Sequence, residues 1–217
     1  MKLKIWQVDA FSEKPLGGNP AAVVPLETWL DAELMQAIAA ENNLAETAFL
    51  VKTGEGRYDL RWFAPGREVD LCGHATLASA WVLFNGLETD LQEARFQTRS
   101  GELVVTRGEA GNVLSLPSAS SEPFDAPPDF ATALAQSLNA STPAELHIAA
   151  KGGAGARALI AVWPGPGAIE ALRPDGNLAE VLMRIGCGSL LATAAGGGAP
   201  YDMVSRFFAP YYGVPED

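Results

Sequence analysis

The sequence has few of the residues that mark a disulfide scaffold or a metal centre. Its 217 residues include two cysteines and two histidines. Two cysteines cannot build the dense framework of a small secreted domain, and no Cys-x-x-Cys or His-x-x-x-His spacing offers a paired zinc-binding motif. The sequence therefore predicts reduced thiols and no metal site.

Positive charge is also scarce. Fifteen lysines and arginines face 26 acidic residues, which gives a net charge of −11, and no basic run occurs. Nucleic acid and acidic lipid surfaces attract basic patches, so we expect neither nucleic acid nor a membrane as a partner. No apolar run reaches the roughly 18 residues needed to cross a bilayer, and the first residues lack the apolar core of a signal peptide. These features predict a cytoplasmic protein.

Apolar residues, in contrast, make up 48% of the chain, which is enough for a substantial core. Runs of short strand patterns, with helical patterns between them, are typical of an α+β fold. A stretch rich in Ser, Pro and acidic residues predicts a linker at residues 118–129. It separates a first lobe, residues 1–117 with a central helix near residues 73–85, from a second lobe at residues 130–217 that lacks a matching central helix.

The most informative segment is Glu68-Val-Asp-Leu-Cys-Gly-His-Ala-Thr76, which places His74 at the start of a helix that is apolar nearly all round. A helix of that kind belongs in a core. Its first amides have no intrahelical partner and form a site for a carboxylate. A titratable histidine at this end predicts chemistry on a small acid, although a histidine that only caps a core helix explains the same residues.

Glu46 stands where a helical pattern gives way to an apolar strand. Packing against Leu44, Ala48 and Phe49 would remove water from its carboxyl group and favour the neutral form. Proteins prepare carboxyl groups in this way to give and take a proton. A solvated glutamate at a helix–strand corner is the alternative, and the residues alone leave both open.

Two glycine-rich patches, at residues 152–155 and 196–198, suggest a cofactor site at first sight. A dinucleotide site needs a helix directly after the glycines, and strand-like segments follow both patches instead. We therefore expect turns there and no nucleotide cofactor.

Seven motifs, taken in order, resemble the phenazine-biosynthesis-like (PhzF-like) isomerases of the diaminopimelate epimerase superfold. The resemblance implies two lobes, each a curved, mostly antiparallel sheet around a central helix, with the active site between them. It also implies proton transfer without a cofactor on a small carboxylate-bearing substrate, and a homodimer. The motifs are Asp9-Ala-Phe11, Gly18-Asn-Pro-Ala-Ala-Val23, Asn43-Leu-Ala-Glu-Thr-Ala-Phe49, Arg61-Trp-Phe-Ala-Pro65, Glu68–Thr76, Leu172-Arg-Pro-Asp175 and Ser205-Arg-Phe-Phe-Ala-Pro210.

The resemblance also implies roles for individual residues. Glu46 matches the catalytic general acid/base of these isomerases. Gly73 and His74 match the Gly-His pair that lines the substrate site, and Asp217 matches an active-site aspartate of the second lobe. With His74, Asp217 would orient the substrate through hydrogen bonds. Asn19, in a turn near the site, is expected to contact the substrate.

The sequence departs from this pattern at its last residue. The resemblance implies that Pro-x-Thr-Gly-Ser and a second central helix follow Asp217, and neither is present. We therefore expect a fragment or a truncated reading frame, with low activity and a second lobe that depends on a partner. A degenerate relative that acts in binding or assembly is the non-catalytic alternative.

The remaining candidates have competing structural explanations. Racemases of the superfold use two opposed cysteines as bases, so Cys72 permits a thiol-dependent racemase or epimerase as a second enzymatic hypothesis. Cys187 lies upstream of the position expected for the second thiol, and a structural role is favoured for both cysteines. Arg61 and Arg206 are candidate carboxylate clamps, but structural ion pairs are favoured for them.

Overall fold

The structure, a computed structural model, shows a chain that folds as two units, Met1–Ser118 and Ala119–Asp217. It describes residues 2–14, 16–109, 111–118, 120–149, 157–198, 201–213 and 215–216. Both units combine helices with a mixed sheet, which confirms the predicted α+β class. None of the helices in this part of the chain has the length and apolar character needed to span a bilayer.

The first unit is built on one sheet with strand order β1-β2-β3-β4-β6-β7-β8, and β5 pairs with β4. The β2–β3 and β4–β6 pairs are parallel, and the others are antiparallel. The strands are β1 (Trp6–Ala10), β2 (Asn19–Leu26), β3 (Glu46–Gly54), β4 (Arg57–Ala64), β5 (Arg67–Val69), β6 (Glu93–Thr98), β7 (Gly101–Gly108) and β8 (Gly111–Ser115).

This sheet buries side chains on both faces, because successive residues of a strand point to opposite sides. On the outer face, Val24, Phe49 and Phe63 pack with Met35 of helix α1 (Ala32–Asn42). The two phenylalanine rings meet edge to face, with their centroids 5.6 Å apart. Strand β3 therefore has one set of alternating residues under α1 and the other set on the inner face.

Helix α2 (Gly73–Val82) lies on the inner face, where it contacts strands from both ends of the sheet, β1 and β2 as well as β7 and β8. The sheet must curve around the helix for this to be possible. Small side chains at Ala75, Ala78 and Ala80 let the strands approach closely, and all three are buried. The predicted central helix is therefore present, but its α-helical part ends at Val82.

The second unit has its own sheet, with strand order β13-β12-β11-β10-β9. Its core contains Phe130, Trp163 and Phe208, each at most 1% exposed, and the Trp163 indole nitrogen donates to the Ser141 carbonyl oxygen at 2.9 Å. The elements are β9 (Ser121–Pro123), α3 (Phe130–Ser137), β10 (Glu145–Ala149), β11 (Arg157–Val162), α4 (Pro166–Ala171), α5 (Leu178–Met183), β12 (Cys187–Ala195) and β13 (Met203–Phe208).

Several expected boundaries differ from the structure. The central helix was expected near residues 73–85, but residues 83–87 form a π-helical turn after α2. The expected linker, residues 118–129, contains β9, which pairs with β10. Its Ser-Glu-Pro sequence lacks any apolar alternation, so only the neighbouring strand makes it part of a sheet. The turn expected at residues 152–155 lies outside the described residues.

Tyr58 connects β4 to the turn that follows α2. It is 3% exposed, and its hydroxyl donates to Glu88 Oε1 at 2.5 Å. Burial, and then the neighbouring Glu88 carboxylate, hold the pKa of the Tyr58 hydroxyl well above its ordinary value. The neutral phenol is therefore part of what stabilises the folded state.

We expect the stabilisation by Tyr58 to disappear in alkali. Above about pH 10 the unfolded tyrosine ionises while the folded one stays protonated, so the folded state binds more protons and stability falls as pH rises, by up to about 1.4 kcal/mol per pH unit. Urea unfolding at pH 9, 10 and 11 should show the wild-type advantage over Tyr58→Phe shrinking across this range. An advantage that stays constant would contradict the assignment, since the other tyrosines are common to both proteins.

Candidate active site

The position of Glu46 is fixed by the way helix α1 ends. Asn43 adopts the left-handed conformation (φ 51°) that commonly stops a helix. The preceding Asn42 donates from Nδ2 to Thr47 Oγ1 at 3.0 Å, which ties the helix end to the start of β3. Glu46, the first residue of β3, therefore lies between two residues that are tied to each other, Asn42 and Thr47.

Strand pairing then decides which way Glu46 points. Glu46 pairs with Ala21 of β2, and paired residues point to the same face of a sheet. Val24 and Phe49 lie under α1 on the outer face, so Ala21 and Glu46, each three residues away in its strand, point to the inner face. Asn19, two residues before Ala21, points there as well. The residues that the strands direct inward meet the first turn of α2.

His74, in that first turn, contacts both strands. Its Nε2 lies 3.3 Å from Glu46 Oε2, and its Nδ1 lies 3.2 Å from Asn19 Nδ2. Glu46 is 5% exposed and His74 is 3% exposed. The solvated glutamate considered as an alternative is thus not found, and burial of the Glu46 carboxyl group is confirmed.

Cys72 adds a thiol to the same group. It is buried, and its Sγ lies 3.5 Å from His74 Nδ1. It also occupies the N-cap position of α2 without a capping side-chain hydrogen bond, while its carbonyl oxygen accepts a hydrogen bond from Thr76 at 2.5 Å. The thiol therefore faces the imidazole and does not occupy the amides at the start of the helix.

A side-chain carbon at Gly73, between these two residues, would make only ordinary van der Waals contacts. A Cβ placed on Gly73 would meet no described atom closer than 3.9 Å, apart from its immediate neighbours and the backbone of its own helix. Gly18 differs, because a Cβ there would lie 2.1 Å from the Ala10 carbonyl oxygen and its φ is 74°. Gly18 is thus required by the turn that presents Asn19, whereas packing within the unit does not require Gly73.

The other predicted residues are placed as follows. Asp217 lies outside the described residues. Arg61 makes a two-pronged ion pair with Glu68, with N–O distances of 2.7 and 2.8 Å. Arg206 pairs in the same way with Glu216 at 2.6 and 2.7 Å. Both arginines are therefore engaged in structural ion pairs, the use that was favoured for them.

Cys187 lies inside the core of the second unit and is fully buried. Burial raises the pKa of its thiol, and the positive charge of Arg157 offsets this only in part. A base made from cysteine needs the opposite shift, because the thiolate is the reactive form. This setting fits a structural cysteine, the role favoured for it.

Sequence reasoning missed two contributions to the site. Asn19 was expected to contact substrate, and the structure shows its amide at the ring nitrogen of His74. Asn42 was given no role, although it anchors the strand that carries Glu46. The pair of asparagines at the end of a helical pattern was the available signal for the second contribution. Nothing in the sequence pointed to the first.

The Asn19 contact predicts which ring nitrogen of His74 carries the proton. An amide nitrogen only donates, so Nδ1 accepts and the proton sits on Nε2, facing Glu46. Nitrogen-15 NMR should show one Nε2-protonated tautomer for His74 in the wild type and a mixture in Asn19→Ala. The chain has two histidines, so a His147→Gln variant assigns the signals. A tautomer unchanged in Asn19→Ala would contradict the orienting role.

A sheet curved around a buried helix defines a fold class that solved structures share. A hydroxyproline epimerase from Agrobacterium vitis has a similar structure, with a TM-score of 0.59 and 11% sequence identity. The match covers 99% of this chain and 72% of the epimerase chain. Similarity at this identity shows the fold alone. The protein has the α+β fold of the diaminopimelate epimerase type.

Within that class, the chain belongs to the phenazine biosynthesis-like (PhzF) family, whose profile matches residues 8–217. The structure of a PhzF-family protein of Enterococcus faecalis matches with a TM-score of 0.82 and 38% sequence identity. The match covers 100% of this chain and 77% of the Enterococcus chain. An uncharacterised isomerase of Pseudomonas aeruginosa is 44% identical over 217 residues, 100% of this chain and 77% of its own. The mouse phenazine biosynthesis-like domain-containing protein 1 is 37% identical, and the match covers 100% of this chain and 79% of the mouse protein. The predicted family and isomerase class are confirmed.

Proposed function

We propose that this protein is a cofactor-independent isomerase in which Glu46 moves a proton between carbons of a small carboxylate-bearing substrate. The observation that carries the proposal is the buried pair of Glu46 and His74, with 3.3 Å between carboxylate oxygen and ring nitrogen. A carboxyl group with little water around it serves as both base and acid. Family membership supports the isomerase class, and the geometry supports the choice of residue.

In the proposed reaction, the carboxylate of Glu46 takes a proton from one carbon of an unsaturated or cyclic acid. The same carboxyl group then returns a proton to another carbon, so the enzyme ends in its starting form and the substrate is isomerised. His74 holds the carboxyl group in place and donates a hydrogen bond. Asp217 matches an active-site aspartate of the family. We include it in the proposal on that basis, as a residue that orients the substrate together with His74.

The start of helix α2 is the proposed place for the substrate carboxylate. The first amides of a helix attract an anion, and Cys72 does not cap them with its side chain. Gly73 has no side chain that would cover these amides. Substrate would then lie beside both His74 and Glu46.

Exchange of solvent deuterium into carbon positions tests the proposal directly. The purified chain would be incubated in D₂O with a panel of small unsaturated and cyclic carboxylic acids, and incorporation would be followed by NMR and mass spectrometry. We expect enzyme-dependent incorporation into at least one acid, and its loss in Glu46→Gln. Incorporation that occurs equally with and without Glu46 would rule the proposal out.

Gly73→Ala separates binding from folding at the carboxylate site. Alanine favours a helix over glycine by about 0.5–1 kcal/mol, and its methyl group would make only ordinary contacts, at 3.9 Å, with Leu114 and Leu116, so stability should be unchanged or higher. The same methyl group would obstruct a carboxylate, so we expect KM to rise at least about tenfold, which is about 1.4 kcal/mol. Thermal unfolding and exchange kinetics measure the two effects. A KM unchanged in this variant would remove the helix start from the substrate site.

A thiol-dependent racemase or epimerase is the second candidate, because Cys72 faces His74 at 3.5 Å. The core position of Cys187 weighs against a pair of opposed thiols that would use it. Cys72→Ser discriminates the two reactions. Deuterium exchange that survives this substitution excludes the thiol mechanism, and exchange that is lost with a normally folded protein excludes Glu46 as the sole acid/base.

We further propose a homodimer in the cytoplasm. The dimer rests on the family resemblance, and the compartment is consistent with the low number of cysteines in the sequence. Sedimentation equilibrium of the purified chain tests the first statement. A monomer at all concentrations would overturn it.

A further inference from the structure

The side chains of Glu46, Cys72 and His74 form a cluster of three metal-ligand types, a property that proton transfer does not use. They supply a carboxylate, a thiol and an imidazole, which are the three kinds of ligand that zinc takes from proteins. All three side chains are buried. One ligand atom can be chosen from each so that the three lie within 4.8 Å of one another. No sequence motif indicates such a site, because β3 supplies one ligand, whereas α2 and its N-cap residue supply the other two.

One edge of the cluster has the dimension of a zinc site. Zinc bonds of about 2.3 Å to sulfur and about 2.0 Å to nitrogen put these atoms about 3.5 Å apart in a tetrahedron. Cys72 Sγ and His74 Nδ1 are 3.5 Å apart. The carboxylate of Glu46 lies beside the other ring nitrogen, with Oε2 3.3 Å from Nε2. It must therefore turn toward Cys72 when the ion binds at Nδ1, to reach the separations of about 3.4–3.6 Å that a tetrahedral site needs.

We propose that this cluster binds Zn²⁺, or a similar thiophilic divalent cation, through the Cys72 thiolate, the His74 ring and the Glu46 carboxylate. Binding releases the thiol proton, as metal coordination by cysteine requires. Three protein ligands leave a fourth position for water. At Nδ1 the metal displaces the Asn19 amide, which lies 3.2 Å away. The metal-bound and the hydrogen-bonded arrangements of the histidine therefore exclude each other.

Binding of Zn²⁺ at this cluster regulates the proposed active site, and this regulation rests on the proposed function. The ion occupies the carboxylate that takes the proton, and it takes the Nδ1 lone pair that accepts the orienting hydrogen bond of Asn19. Zn²⁺ therefore inhibits the isomerase reversibly, and a chelator restores it. The binding itself does not depend on what the enzyme catalyses.

Cobalt serves as a spectroscopic probe for the binding. The full 217-residue chain, reduced with a non-thiol reductant and freed of metal by chelation, would be titrated with Co²⁺. We expect a thiolate-to-cobalt charge-transfer band at one equivalent, and loss of the band when Zn²⁺, which such sites bind more tightly, is added. Cys72→Ser should lose the band, and Glu46→Gln should bind at least tenfold more weakly. Cys187→Ser, the matched control for the other buried cysteine, should retain both band and affinity.

The outcomes separate this inference from the proposed function. A wild type without the band, a band that persists in Cys72→Ser, or a band lost in a folded Cys187→Ser would each overturn the metal site. Circular dichroism of every variant guards against misfolding. Deuterium exchange measured with chelator present tests the isomerase alone. Exchange that continues while Zn²⁺ fills the site would overturn the inhibition, and exchange that falls at least tenfold and recovers with chelator would support it.

Discussion

Glu46→Gln should lower the rate of deuterium exchange by about 10²- to 10⁴-fold, the range expected when a general acid/base is removed. Glutamine has the same shape but neither takes nor gives a proton, so the buried site keeps its packing and loses its chemistry. The proposed carboxylate site at α2 is untouched, so KM should change little. Steady-state exchange kinetics in D₂O measure both quantities.

Glu55→Gln is the matched control, because Glu55 is exposed in the same unit. It should exchange deuterium at the wild-type rate. Glu46→Asp keeps the acid but withdraws it by one methylene group, so an intermediate rate is expected. If Glu46→Gln retained more than half of the wild-type rate, another residue would have to be the acid/base.

Phe49→Ala should have the largest effect on stability. The ring is fully buried between strand and helix α1 and packs edge to face on Phe63. Removing a buried phenylalanine costs about 3–5 kcal/mol, a large part of the 5–15 kcal/mol that stabilises a typical domain. Urea unfolding followed by circular dichroism should show the midpoint moving to much lower denaturant.

Phe11→Ala is the comparison for this prediction, since Phe11 is 72% exposed. Surface substitutions usually change stability by less than about 0.5 kcal/mol. A loss below about 1 kcal/mol in Phe49→Ala would mean that α1 does not pack on the sheet as described. Because Glu46 lies in the same strand, a destabilised Phe49→Ala protein should also exchange deuterium more slowly.

Local pattern predicted the elements that carry the candidate site, and its failures have local causes. The helical spacing before Glu46 and the apolar run after His74 predicted helices where α1 and α2 lie. β9 and α4 were not predicted. The three residues of β9 have no apolar alternation, and α4 is only six residues long. Elements this short are stabilised mainly by their neighbours and not by their own sequence.

The candidate site was predicted unevenly. Glu46 and His74 were selected from their positions at the start of a strand and of a helix, and the family resemblance supplied the link between them. The Asn19 contact to His74 was not foreseen, because it depends on the register of β2 against β3. A register shifted by one residue would point Asn19 to the opposite face.

By itself, the amino-acid sequence determined the α+β class, the buried helix after Gly73 and, through its motifs, the PhzF family. The tertiary structure alone decided that a carboxylate, an imidazole, a thiol and an amide meet at one point. The reason is physical. Hydrophobic periodicity is a property of neighbouring residues, whereas the approach of Glu46, Cys72 and His74 requires the sheet to pair in register and curve around α2.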